Sequence, residues 1–268
     1  MPTKTYLLIT SFILFLIACE KEKSFSTAGS TGGNGSRLTE AIGRWHDSVT
    51  YAFFYYDELN RLSRIVDSEN TNFSKSFIFF IYDADGRLIK KISTSEYSSD
   101  AGVDSFWYDD NDNIAGKIYT NPLMTAIGTR AKNTYTYDAR GRMIADTTYS
   151  YRSENIVEYV NYTYDNNDNI ISLQEFHDEG GIMKSDGIIS ASYSNLINPY
   201  FDLRSSLYTI WYGNEILSKH LRAQVIYSAG TIENYTYEFY TDGSVKKVIA
   251  TEESGGYTDV TTQEFFYE

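Results

Sequence analysis

The sequence predicts an all-β protein: an antiparallel meander of repeated β-hairpins, about 14–16 strands, that forms a closed or nearly closed, flattened barrel. Composition is the first observation behind this prediction. The 268 residues include 25 Tyr, 15 Phe and only 3 Pro, and 42% of the chain is hydrophobic. Aromatic and β-branched residues favour strands, and this hydrophobic content is enough for a packed core. The second observation is a hairpin motif that recurs along the chain.

Each copy of the motif reads aromatic-x-Tyr, then Asp, a turn, Arg or Asn, and an aliphatic residue. The five full copies contain Tyr56, Tyr82, Tyr108, Tyr137 and Tyr164, which are 26, 26, 29 and 27 residues apart. Asp favours the start of a type I turn, and the fourth position of each turn holds Asn, Gly or Asp, which tolerate positive φ. The pattern predicts a three-residue hairpin loop closed by a bulge, with each tyrosine opposite the aliphatic residue.

A sixth, shorter copy contains Tyr240, which we place opposite Val245 across a loop that is one residue shorter. The aromatic residue two positions before each tyrosine shares its face of the strand. We expect these residues to form a buried ladder along the sheet: Phe54, Phe80, Phe106, Tyr135 and Tyr162. The alternative is that the aromatic faces are platforms for binding sugars.

The two ends of the repeat region resemble two halves of one broken hairpin. Residues 37–42 match the second half of a repeat, and residues 263–267 match the first half, with Phe265 and Tyr267 in the ladder positions. Six hairpins and two half-repeats predict about 14 strands, or 16 if the centre adds a pair. An even number lets the first and last strands pair and removes both exposed edges. The alternative is an open twisted meander.

The stretch from about residue 177 to 228 breaks the pattern. Residues 191–195 form a strand-like segment that contains Tyr193, and Asn198-Pro199 follows it. A round barrel of about 16 strands has a wide lumen, so we expect either flattening or a plug from this stretch. It is also the part of the chain in which we expect a specialised function.

The first 18 residues have the features of a secretory signal peptide. Lys4 precedes an apolar run that is too short to span a bilayer. The run ends in Leu16-Ile17-Ala18-Cys19, which resembles the bacterial lipobox, where the chain is cut before a cysteine that becomes acylated. The resemblance implies a lipid anchor on Cys19. Residues 19–37 would then form the lipidated cysteine with a flexible tether, and residues 38–268 a single β-repeat domain.

The motif copies at Tyr82 and Tyr137 resemble the tyrosine-aspartate repeats of Rhs-type shells. Together with the lipobox and Asn198-Pro199, the chain resembles lipid-anchored Bacteroidota proteins of unknown function that have a porin-like β-fold. This resemblance covers about residues 37–268. It implies an outer-membrane protein, on either the periplasmic or the cell-surface side, and it transfers no catalytic residue.

The sequence predicts no catalytic, cofactor-binding or metal-binding residue. His46, His177 and His220 lack the spacing of metal ligands, and the acidic turns at 109–113 and 165–169 lack the Gly and Glu of an EF-hand. A net charge of −13 argues against a nucleic-acid partner, because phosphates would not be neutralised.

We therefore expect a non-enzymatic cell-envelope lipoprotein that acts as a β scaffold or binding module. Its expected partners are the membrane, through the lipid, and a glycan or an envelope protein. The alternative function is that of a carbohydrate- or glycan-binding accessory lipoprotein. A hydrolase of envelope polymers is a third hypothesis, because a folded carboxylate pair cannot be recognised from spacing. Buried tyrosines would favour the scaffold, whereas aromatic side chains that face solvent would favour glycan binding.

Overall fold

The computed structural model describes residues 38–46, 48–59, 61–69, 75–121, 130–150, 154–197 and 218–267. These residues form sixteen β-strands. Within the same ranges there is no helix of the length and apolarity needed to cross a membrane. In chain order the strands are β1 (Leu38–Trp45), β2 (Ser48–Tyr56), β3 (Leu62–Glu69), β4 (Lys75–Tyr82), β5 (Leu88–Ser95), β6 (Ser98–Tyr108), β7 (Ile114–Thr120), β8 (Arg130–Tyr137), β9 (Met143–Tyr149), β10 (Ile156–Tyr164), β11 (Ile170–Asp178), β12 (Met183–Ile197), β13 (His220–Ile226), β14 (Ile232–Phe239), β15 (Val245–Ser254) and β16 (Tyr257–Tyr267).

The sheet is a closed antiparallel barrel in which each strand pairs with its neighbours in sequence, and β1 pairs with β16. At this seam Leu38 lies opposite Tyr267 and Ala41 opposite Phe265. The prediction that the two terminal segments complete one hairpin is confirmed, and the open meander is wrong. The irregular centre supplies the extra pair, β12 and β13, so the number of strands is 16.

The predicted loop geometry is present in the motif copies. Tyr82 lies opposite Leu88 next to a bulge, and Gly86 has a φ of 85°. The carboxylate of Asp83 accepts hydrogen bonds from the backbone N–H of Arg87 at 2.8 Å and from its guanidinium at 2.9 Å. The same pairing of tyrosine with aliphatic residue occurs in four other hairpins: Tyr56 with Leu62, Tyr108 with Ile114, Tyr137 with Met143, and Tyr164 with Ile170. We call the end of the barrel that carries these loops the motif end, and the other the distal end.

The prediction for Tyr240 is wrong. Val245 lies opposite Phe239, so Phe239 occupies the position of a motif tyrosine. Tyr240 takes the place of the motif aspartate, since its N–H donates to the carbonyl of Ser244 at 2.9 Å and its own carbonyl accepts from Gly243 at 3.1 Å. These bonds match those of the other loops, and Gly243 has a φ of 88°. The loop is therefore as long as the others, and its opening residue is a tyrosine.

One repeat lies inside the stretch that breaks the sequence pattern. The hydroxyl of Tyr193 on β12 donates to the carbonyl of Ile170 at 2.7 Å, as the other motif tyrosines do to the preceding aliphatic residue. Tyr193 follows Tyr164 by 29 residues, a spacing already present in the repeat. Asn198-Pro199 and the predicted plug lie outside the described residues, as do Cys19, the signal peptide and the tether.

The core lies on the inner face of the barrel near the motif end. The predicted ladder is confirmed, because all of its members are buried there: Phe54, Phe80, Phe106, Tyr135, Tyr162 and Phe265. They share one hydrophobic cluster with the aliphatic residues of the hairpins, such as Leu62, Leu88 and Ile114. In an open, round lumen of 16 strands, inward-facing aromatic side chains would be exposed to water. Because these side chains are buried, the interior of the barrel near the motif end is packed and is not an open, water-filled lumen.

Candidate functional site inside the barrel

The inner wall changes from apolar to polar between the motif end and the distal end. Successive residues of a strand face alternate sides, and directly opposed residues of neighbouring strands share a face. On β10, for example, Tyr162 and Val160 are buried in the core, while Glu158, two residues further, lies opposite His177. The register therefore brings together inward-facing carboxylates, lysines and aromatic hydroxyls from distant parts of the chain.

A buried ion-pair cluster lies on β5, β6 and β7. Lys91 Nζ is 2.7 Å from Asp104 Oδ2, and Lys117 Nζ is 3.7 Å from Asp104 Oδ1. Both lysines are directly opposite inward-facing partners, Lys91 opposite Phe80 and Lys117 opposite Phe106. Two cations thus share one carboxylate next to the aromatic ladder, and removing Asp104 would take a counter-charge away from two largely buried ammonium groups.

Asp67 is a buried carboxyl on the inner face of β3, between Ala52 of β2 and Ser76 of β4. Its Oδ1 atom has no hydrogen-bond partner. Burial raises the pKa of Asp67 to about 7. A carboxyl in this setting changes its charge near neutral pH, because desolvation disfavours the ionised form.

An acidic group with one histidine lines β10 to β12. His177 Nδ1 is 2.7 Å from Asp186 Oδ1, and Glu158 lies opposite His177. Burial, followed by the charges of Asp146 and Asp186, raises the pKa of Glu158. Burial and the same kind of repulsion, from Glu158 and Asp186, raise the pKa of Glu175. Among the described residues, Glu158 and Glu175 are two neighbouring carboxyl groups with raised pKa values, and in this respect they resemble the carboxylate pair of a hydrolase.

The sector from β13 to β1 combines carboxylates with aromatic side chains. Glu233 Oε2 accepts hydrogen bonds from the hydroxyls of Tyr227, at 3.0 Å, and Tyr235, at 2.6 Å. Across the sheet Glu233 is opposite Glu252, which in turn is opposite Asp259. Asp259 Oδ2 accepts from the indole N–H of Trp45 at 2.7 Å and is 3.2 Å from His46 Nε2. We call this group the distal aromatic sector.

The distal aromatic sector has the chemistry of a polar-ligand site. Its carboxylates accept hydrogen bonds, and its indole and phenol rings offer apolar faces. Two exposed tyrosines lie at the same end of the barrel: Tyr97 in the turn between β5 and β6, at 76% exposure, and Tyr257 at the start of β16, at 83%. Among the described residues, no group of three or more His, Cys, Asp or Glu is placed to hold a metal ion.

Of the residues singled out from the sequence, only His46 and His177 belong to these interior groups. The motif tyrosines form a structural ring at the motif end, and the acidic turns are hairpin loops, with Asp112 and Asp168 at φ of 61° and 64°. The histidines are separated: His46 contacts Asp259, His177 contacts Asp186, and His220 hydrogen-bonds Asn169. The interior polar residues were missed. Alternation along each predicted strand would have given their face, but their juxtaposition needs the cross-strand register.

Comparison with solved structures shows the fold that the barrel shares. The chain is similar to a porin-like protein from Bacteroides uniformis, with 13% identity, a TM-score of 0.61, and coverage of 88% of this chain and 99% of that one. A porin-like protein from Bacteroides vulgatus matches at 7% identity and a TM-score of 0.44, over 86% and 98% of the two chains. The Photorhabdus luminescens Tc holotoxin pore matches at 13% identity and a TM-score of 0.34, over 80% of this chain and 9% of that one.

No family model matches the sequence, and no curated protein does. At 13% identity the first of these structural matches shows a common fold and no more. This match confirms that the barrel has the expected porin-like β-fold.

Proposed function

We propose that this chain is a cell-envelope lipoprotein, anchored to the outer membrane through Cys19, whose barrel acts as a non-enzymatic scaffold or binding module. The observation that carries the proposal is the closed barrel whose motif tyrosines are used in its own hydrogen bonds and core, such as Tyr82 to the carbonyl of Leu62 at 2.9 Å. The repeat is therefore structural. The sequence Leu16-Ile17-Ala18-Cys19 supports the anchor, since acylation holds a protein to a membrane without a spanning helix.

The anchor is tested with Cys19→Ala in the full chain. We expect the wild type to incorporate radiolabelled palmitate and to sediment with the membrane fraction. The variant should do neither and should keep its uncut signal peptide, whereas the matched variant Ser24→Ala should behave as the wild type. Acylation of the Cys19→Ala protein would contradict the proposal.

Glycan binding is the second candidate function, and the distal aromatic sector favours it. Sugars are bound by aromatic faces together with hydrogen-bonding carboxylates, and both are present where Trp45 donates to Asp259 and Tyr235 to Glu233. The motif tyrosines are partly buried against the core and donate to main-chain carbonyls, which argues against sugar platforms at the motif end. Under this second function, the glycan-binding surface lies at the distal end.

A glycan array separates the two functions. Specific binding that is lost in Trp45→Ala, and retained in Phe266→Ala on the outer wall, would support the glycan-binding lipoprotein. Absence of binding to every envelope glycan on the array would leave the scaffold as the function. Binding that both variants retain would place the glycan site outside this sector.

A further inference from the structure

One part of the outer wall of the barrel, on β2 to β4, is rich in aromatic side chains. Phe80 is buried in the core, so its neighbours on β4, Phe79 and Ile81, point outward, and they are 37% and 39% exposed. The same alternation places the aromatics of β2 outward on either side of buried Phe54. We call the following outward residues the aromatic wall: Tyr51, Phe53, Tyr55, Phe77, Phe79 and Ile81.

The register makes these side chains one continuous surface. Tyr55 of β2 is opposite Arg64 of β3, which is opposite Phe79 of β4. One row further from the motif end, Phe53 is opposite Val66, which is opposite Phe77. Phe77 and Phe79 stack with ring centroids 6.5 Å apart. Contiguous exposed apolar surface of this kind marks an interaction site.

The opposite side of the barrel is mainly polar only in the two rows nearest the motif end. Strands β10 to β12 are eight places from β2 to β4 in a ring of sixteen and therefore lie diametrically across it. In the two rows nearest the motif end their outward residues are Thr163, Ser172, Ser190, Asn161, Gln174 and the exposed Ile188, and the next row contains the stacked pair Tyr159 and Phe176. The aromatic wall is thus not a general property of the outer surface.

Three cations lie within or beside the aromatic wall, and one carboxylate, Glu40 of β1, lies opposite Phe53, in a chain whose net charge is −13. The guanidinium of Arg64 lies 4.1 Å above the Tyr55 ring, within the wall. Lys90 is opposite Ile81, and Lys75 is opposite Ser68, at the two ends of the same strands. Aromatic side chains flanked by Lys and Arg are the composition of surfaces that lie in the lipid headgroup region.

The first described strand lies beside this wall. Strand β1, which begins at Leu38, pairs with β2, the first strand of the aromatic wall. Eighteen residues separate Leu38 from Cys19, and a Gly/Ser-rich chain of this length spans about 23 Å on average. An acylated Cys19 would hold the barrel within about its own diameter of the bilayer, with β1 and β2 near the point of attachment.

We propose that the aromatic wall docks on the surface of the membrane that holds the lipid anchor, so that the barrel lies on its side with β10 to β12 toward water. This proposal rests on the proposed lipid anchor. The tether brings the wall to the bilayer, the phenyl and phenol rings enter the headgroup region, and Arg64, Lys75 and Lys90 meet lipid phosphates. Both mouths of the barrel then stay accessible to soluble partners.

Spin labels on the mature, acylated protein test the orientation. The chain has a single cysteine, which the lipid occupies, so Phe79→Cys, Ile81→Cys and the matched Ile226→Cys can each be labelled uniquely. Ile226 is an exposed apolar residue, 43% accessible, opposite Ser190 on the far wall. The protein is reconstituted in phosphatidylethanolamine/phosphatidylglycerol vesicles. Collision rates of each label with oxygen, which enters lipid, and with an aqueous nickel chelate are then measured.

We expect the oxygen-to-nickel ratio at positions 79 and 81 to rise several-fold on reconstitution, and the ratio at position 226 to stay at its solution value. Equal, aqueous ratios at all three positions in vesicle-bound protein would overturn the docking and leave the anchor intact. Spin–spin broadening at position 79 between copies would overturn it in favour of a dimer. A chain that is never acylated would overturn the anchor and, with it, the docking.

Discussion

The hydroxyl of Tyr82 donates a hydrogen bond to the main-chain carbonyl of Leu62, 2.9 Å away on the preceding hairpin. The paired register of β3 and β4 ends at Arg64 and Phe79, so Leu62 lies past the end of the ladder and receives a side-chain donor instead. The relationship recurs around the barrel, on both sides of the seam: Tyr56 to Leu38, Tyr108 to Leu88, Tyr137 to Ile114, Tyr164 to Met143, Tyr193 to Ile170 and Tyr267 to Val245. The motif tyrosine therefore joins one hairpin to the one before it.

Removing a single hydroxyl of this ring should lower stability measurably. Tyr82→Phe leaves the ring in the core and removes the donor to Leu62, for which we expect a loss of about 1 kcal/mol in the free energy of unfolding. Urea denaturation measures it. Tyr55→Phe is the control, because that hydroxyl lies on the exposed outer wall. Equal changes in the two variants would show that the hydrogen bond is not the cause.

Closure of the barrel makes the last strand part of the core, which two neighbouring phenylalanines test. Phe265 faces inward at 0% exposure, opposite Ala41 across the seam, while Phe266 faces outward at 37%. Phe265→Ala should destabilise the barrel by about 3–5 kcal/mol through the lost burial and the cavity it leaves. Phe266→Ala should change stability by well under half of that. Similar small effects in both would mean that the seam does not form in solution.

The hairpin loops of this fold could be predicted from the sequence because a few consecutive residues determine the conformation of each loop. Asp83, Gly86 and Arg87 fix one loop through a turn, a positive φ and a charge-assisted hydrogen bond, and the same pattern recurs in other copies. The assignment of Tyr240 failed because two adjacent aromatics, Phe239 and Tyr240, fit the motif equally well, and the loop hydrogen bonds decide between them.

The interior polar groups could not be predicted in the same way. Trp45 and Asp259 are 214 residues apart and meet only because β1 closes onto β16. Lys91 and Asp104 meet through the register of β5 with β6, in which a shift of one residue would turn Asp104 to the outer face. Candidate sites of this barrel thus depend on closure and register, neither of which is encoded in a short motif.

The buried carboxyl of Asp67 should make stability depend on pH. Its pKa is about 7 in the folded chain and about 3.9 in an unfolded one. The folded state holds the proton more tightly, so the free energy of unfolding should fall as the pH rises from about 4 to about 7. Asp67→Asn should remove this part of the slope, on the order of 2–4 kcal/mol across the interval.

Urea denaturation at several pH values between 4 and 8 measures the slope for the wild type and the variant. Asp85→Asn is the matched control, since this carboxylate is exposed in a hairpin loop. If the Asp67→Asn and wild-type curves stay parallel over the whole range, Asp67 is ionised in the folded protein at acidic pH and the argument from burial fails.

The last prediction is that the barrel does not cross the membrane, although it has a porin-like fold. Crossing requires an outward apolar band about 25 Å tall. Glu40 and Arg44 both face outward on β1, opposite Phe53 and Val49 of β2. On β15, outward Lys247 and Glu253 are six residues apart, which is about 20 Å along the strand and less along the barrel axis once the strand tilts.

Charges therefore interrupt the outer face at intervals shorter than the apolar band that a bilayer demands. A chain of residues 38–268 should stay in the supernatant after ultracentrifugation without detergent, with the β-rich circular dichroism and the cooperative unfolding of the full barrel. The aromatic wall covers only β2 to β4. It can therefore contact a membrane surface, but it does not form the apolar band around the whole barrel that crossing a bilayer requires. Recovery of this chain solely in detergent micelles, with loss of β-structure on detergent removal, would contradict the prediction.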